Sequence, residues 1–140
     1  MRLLVKLRRY LSASRHRSPV ATGILPLKDI HSVVVFVDGA DAGLEPLKIR
    51  IQKFFQGCSV KFVSARDKDL RTSSDAFIAI NSTPSVDERY AAVWSTARFK
   101  VGRHQLPHQV YDLVVSDPGE EPAPVGTAFE VMSNLITQIK

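Results

Sequence analysis

Five consecutive apolar residues, Val33 to Val37, are closed by Asp38-Gly39. A short β-branched run bounded by turn formers predicts a strand covered on both faces, as in parallel sheets. Leu44, Leu47, Ile51, Phe54 and Phe55 then recur at helical spacing, with Lys48, Arg50 and Lys53 facing away and Gly57 as the stop. Val60 to Val63 predict a second strand, and "DAFIAINS" (75–82) a third. Ser85 and Glu88 have capping-box spacing at the head of a helix with Val86, Tyr90, Val93, Trp94 and Ala97 on one face. "RFKVG" (98–102) predicts a short fourth strand, Tyr111 to Val115 a fifth, and Phe129, Met132, Leu135, Ile136 and Ile139 a closing helix.

Buried strands alternating with amphipathic helices imply a mainly parallel sheet with helices on both faces. The expected architecture is a single three-layer, Rossmann-like α/β domain of about five strands over residues 28–140. One link resists the pattern: "RDKDLRTSS" (66–74) is too short and too polar for a full crossover helix. Within the fourth strand, Phe99 and Val101 are expected to face the core, with Lys100 alternating outward between them.

Residues 1–27 read differently, as a basic amphipathic helix and a linker. On a helical wheel Leu3, Leu4, Leu7, Tyr10 and Leu11 gather on one side, while Arg2, Lys6 and Arg9 gather opposite. Arg8 adds to the charge, and "SASRHRSP" (12–19) dissolves the pattern into a polar, proline-ended linker. Four readings of this arm are open. Its stripe packs on its own domain or a second copy; or it lies on an anionic bilayer, which attracts an apolar stripe with a Lys/Arg face. It also has the composition of an organellar transit peptide, and contact with nucleic acid is the least supported of the four. Seven of the nineteen basic residues lie between Met1 and Lys28, where there is no acid, so the remaining twelve face all fourteen acids. The formal charge of +5 therefore belongs to the arm, which argues against a nucleic-acid-binding surface over the whole domain.

Candidate chemistry is sparse. Cys58 is alone, which fits a reducing, cytoplasmic setting. His16, His31, His104 and His108 are scattered without metal-ligand spacing, and no metal or cofactor is expected. The glycines of "VDGADAG" match neither a dinucleotide fingerprint nor a phosphate-cradling loop, and no nucleophile elbow occurs. In open parallel sheets ligands sit beyond the carboxyl ends of the strands. Projected onto this chain, that edge carries Asp38 and Gly39, Ser64 and Arg66, Asn81 and Ser82, and Ser116 and Asp117. Lys100, Arg103 and His104 would add an anion site if the fourth strand exits nearby. Polar loops at this edge are equally what turns use. The expectation is a non-enzymatic binding or adaptor domain, held peripherally at the inner membrane surface by Arg2, Lys6, Arg8 and Arg9. The alternative is a domain that binds or transforms a nucleotide or sugar phosphate at the strand ends.

Read together, "DAFIAINSTPSVDERYAAVWSTARFKVG" (75–102) and "YDLVVS" (111–116) resemble a small family of Bacteroidetes proteins to which no activity is assigned. There a basic N-terminal helix precedes an α/β domain, and a small-residue helix ends in an element like Ala97 to Gly102. The same segment is similar to the N-terminal half of heptosyltransferase-type glycosyltransferases. That likeness implies the fold and the order of elements but no enzyme, because such transferases hold the sugar nucleotide in a second domain. A superficial likeness to response-regulator receivers fails where a phosphoacceptor carboxylate is needed, since the chain offers Ile80 and Asn81.

Overall fold

The computed structural model describes residues 2–15, 23–37, 44–107, 109–117 and 123–139, with the backbone alone for 2 and 13–15. Among the described residues, five strands form one sheet: β1 (Ser32–Phe36), β2 (Ser59–Val63), β3 (Ala76–Ala79), β4 (Phe99–Gly102) and β5 (Leu113–Val114). All neighbours run parallel, in the order β2-β1-β3-β4-β5. The helices are α1 (Arg2–Arg15), α2 (Leu44–Phe54), α3 (Val86–Trp94) and α4 (Val125–Gln138). The Rossmann-like α/β architecture expected from the alternation is the one observed.

Alternating side chains divide the core between the two faces of the sheet. Val33, Val35, Ile78, Phe99 and Val101 meet Leu47 and Ile51 of α2 and Phe129, Met132 and Ile136 of α4. On the opposite face, Val34, Phe36 and Phe77 meet Ala91, Ala92 and Val93 of α3. Small residues on α3 bring that helix close to the strands. The Ser85 hydroxyl caps it, accepting from the Glu88 amide at 3.0 Å. Gly57, with φ of +89°, adopts the left-handed turn that follows α2.

The 64–75 crossover, which passes from β2 over β1 to β3, contains no helix. It is held by Leu70, fully buried in the second face, and by the Thr96 amide donating to the Thr72 carbonyl. The fifth strand is shorter than the Tyr111–Val115 expected, for a local reason. The Asp112 carboxylate takes the Lys100 amide at 2.8 Å, in the place of a strand carbonyl, while the Asp112 amide donates to the Lys100 carbonyl. Tyr111 meanwhile turns into the core. Its ring lies directly on the Cα of Gly102, and its hydroxyl donates to Glu88 Oε2 at 2.8 Å.

Lys100 corrects an expectation. Period two does place it opposite Phe99 and Val101, but that side is covered too, and Lys100 is 0 % exposed. Burial lowers its pKa from 10.5 to about 8, partly offset by Asp112. The unfolded chain therefore holds the proton over a range in which the folded chain has released it. That difference makes stability rise with pH across the window.

Two outcomes follow. Gly102→Ala drives a methyl into the Tyr111 ring and should cost about 1–3 kcal/mol in urea unfolding; an unchanged midpoint would disprove the close contact. Relative to Lys100→Met, the natural chain should gain about 2 kcal/mol of stability between about pH 7.5 and about pH 10. A difference that is flat with pH would mean Lys100 is not desolvated.

Candidate interaction surface

At the carboxyl ends of the strands, Arg103 and His104 are taken up by contacts with the neighbouring loops. Arg103 is 2 % exposed. Its Nη1 donates to the Ile80 carbonyl at 3.1 Å, and its Nη2 donates to both Asp117 oxygens at 2.7 Å and to the Ala123 carbonyl at 2.9 Å. One guanidinium thus ties the ends of β3 and β5 to the start of α4. The Arg103 hydrogen bond holds the Asp117 carboxyl below its ordinary pKa. His104 Nε2 lies 2.9 Å from the Ser82 carbonyl, which can only accept, so Nε2 carries the proton. Asn81 is buried, Ser82 half-buried and Ser116 exposed. Where the chain order suggested an anion site, Arg103 and His104 act as a clamp, and Lys100 is sealed on the α3 face. Ser64 is drawn into a local turn, its amide donating to Asp67 and its hydroxyl accepting from the Arg66 amide. Asp38, Gly39 and His108 lie outside the described residues. Cys58 is half-buried; its Sγ donates to the Ile30 carbonyl, and burial, then Asp75, push the thiol pKa up.

The more distinctive surface is α1. Arg9 was expected on the exposed basic face, but it points into the protein and is 7 % exposed. Its Nη1 meets Asp87 Oδ1 at 2.7 Å and donates to the Ala65 carbonyl, while Nη2 donates to the Asp67 carbonyl at 2.9 Å. Asp87, in the first turn of α3, is itself buried. The same interface joins Ser12 to the Trp94 indole N–H at 2.8 Å and sets Arg89 over the Tyr10 ring. Thus α1 docks on α3 through its polar side.

The apolar stripe is consequently outside. Leu3 is 79 % exposed, Leu4 63 % and Leu7 51 %, and Tyr10 and Leu11 are also exposed. At about 100° per residue, Arg9, Val5 and Ser12 share the inner arc, Leu7 and Leu11 lie opposite, and Lys6 and Arg8 stand at the two flanks. Arg2 belongs to the helix, but its side chain is not among those described. Two clefts separate α1 from the 65–71 segment. One, of about 260 Å³, is lined by Lys6, Arg9, Arg66 and Lys68 together with Asp67 and Asp87. The other, of about 390 Å³, is lined by Arg8, Arg9, Lys68 and Arg71 with Val5, Ser12 and Tyr90. Arg71 is held in place by stacking 4.3 Å over Trp94 and by its Nε donating to the Tyr90 hydroxyl.

The wheel sorts the residues of α1 correctly but cannot say which side faces in. The signal that could have decided it lies in α3, whose outer face carries Asp87, Tyr90 and Trp94, partners for a guanidinium and a hydroxyl rather than for leucines. Among the described residues, no group of histidines, cysteines and acids could hold a metal ion. Comparison of the chain with protein-family models, curated proteins and solved structures finds no match.

Arg9→Met should cost about 3–5 kcal/mol, because it leaves the Asp87 carboxyl buried without its partner. Arg8→Met, one position along on the exposed side, should change stability by no more than about 0.5 kcal/mol. Urea unfolding of the two variants at neutral pH checks this, and equal effects would remove Arg9 as the anchor of α1.

Proposed function

We propose that this protein is a peripheral lipid-docking domain, in which the α/β body carries α1 as an interfacial helix on an anionic membrane surface. The observation that supports this reading best is the leucine stripe, left exposed on a helix whose polar side is committed to α3. A helix of this kind lies in the headgroup region with its apolar face inserted, and each nearby Lys or Arg adds about 1 kcal/mol on an anionic leaflet. Lys6 and Arg8 flank the stripe, as that geometry requires, and α1 contains no acid. No described helix is long and apolar enough to cross a membrane, so the contact would be peripheral.

A second copy of the chain is a poorer occupant. Pairing two stripes about a twofold axis would bring Lys6 and Arg8 of both helices together with no acid on α1 to compensate. An anionic bilayer supplies the missing charge. The task left to the α/β body is that of a binding or adaptor module, with its strand-end groups used to brace the fold.

Co-sedimentation of the full chain with phosphatidylglycerol vesicles should show binding that weakens with salt, with little binding to phosphatidylcholine. Leu7→Glu should reduce it by about tenfold or more. Charge-independent partitioning, or a dimer in analytical ultracentrifugation that Leu7→Glu dissociates, would contradict the proposal.

A further inference from the structure

The two clefts beside α1 differ in charge balance, and the difference identifies a ligand. In the 260 Å³ cleft, Asp67 and Asp87 offset the cations. In the 390 Å³ cleft Arg8, Arg9, Lys68 and Arg71 converge with no carboxylate among the described lining residues. Of these, Arg9 is spent on Asp87 and two carbonyls. Arg71 has its plane fixed against Trp94 and its Nε engaged by Tyr90, and among the described residues its terminal amino groups are left to donate. Arg8 and Lys68 have no hydrogen-bond or ion-pair partner among the described residues. Mutual repulsion of such cations around one hollow is relieved by an anion that accepts from several sides.

Position along α1 specifies the anion further. Leu4 and Leu11 lie four residues before and three after Arg8, so they are its neighbours on the helix surface. A group seated in the cleft therefore has the inserted stripe directly beside it. We infer that this cleft seats the headgroup of a lipid phosphomonoester, with Arg8, Lys68 and Arg71 around the phosphate. A phosphomonoester carries close to two charges and three terminal oxygens, against one charge and two oxygens for the diester of ordinary anionic lipids. Three separately placed cations match the former, and Arg71 can engage it with two parallel donors. This inference rests on the docking reading above and names the lipid that the docked surface selects.

The test is flotation of the full chain with vesicles matched in surface potential, charged either by phosphatidylglycerol or by a smaller fraction of phosphatidate. Binding should be about fivefold to tenfold tighter to phosphatidate. Lys68→Gln should bring that ratio close to one, whereas Leu7→Glu should weaken binding to both vesicles and leave the ratio in place. Equal binding at matched potential overturns the inference and leaves docking intact, while binding to neither vesicle overturns both. Micromolar binding of inorganic phosphate in titration calorimetry, without a vesicle preference, overturns the lipid assignment in favour of a free anion.

Discussion

The contact between Arg9 and Asp87 determines how the N-terminal helix sits. Both side chains are buried, 2.7 Å apart, and Arg9 adds two backbone carbonyls of the 65–67 turn. A buried ion pair is weak evidence for net stability, since desolvation offsets much of the attraction. Its value is orientational: neither partner can be left alone in the interior, so α1 has one acceptable rotation about its axis. That rotation carries Ser12 to Trp94, places Lys6 and Arg8 at the flanks, and leaves the leucines outside. The crossover leans on the same side chain, because its Ala65 and Asp67 carbonyls are satisfied by a residue of the N-terminal helix.

Charge buried under α3 recurs as a theme. Glu88 accepts from Tyr111, Tyr111 closes over Gly102, and Asp112 stands in for a strand carbonyl beside Lys100. These groups lie on the face whose apolar packing uses alanines, whereas the α2–α4 face is filled by larger aliphatic and aromatic side chains. Burial of Glu88 and Lys100 raises the energetic stakes of that face, since each hydrogen bond removed leaves a polar group without water. Arg103 plays the matching role at the strand ends, where a single guanidinium holds Ile80, Asp117 and Ala123 together.

Hydrophobic periodicity made the sheet and its helices legible, because Val33 to Val37 and the faces of α2 and α4 answer only to burial. It is silent about Lys100, because alternation sets the side on which a residue lies and not whether that side is covered. Likewise the Tyr111–Val115 run looked like a full strand, but Asp112 replaced a ladder carbonyl and Tyr111 left the sheet. The amphipathic arm illustrates the limit most clearly. An apolar stripe ordinarily faces the core, and here the pairing of Arg9 with an acid nearly eighty residues away reverses it. Such long-range pairing leaves no periodic trace.

Trp94 is the chain's single tryptophan, and its indole N–H bonds to Ser12 across the α1–α3 interface, so one proton resonance reports the orientation of α1. The account predicts an indole signal that exchanges slowly with water, shifts in Ser12→Ala, and keeps its protection when anionic vesicles are added. A rapidly exchanging indole that ignores Ser12→Ala would show that α1 does not dock through its polar side, and would contradict the account at its base.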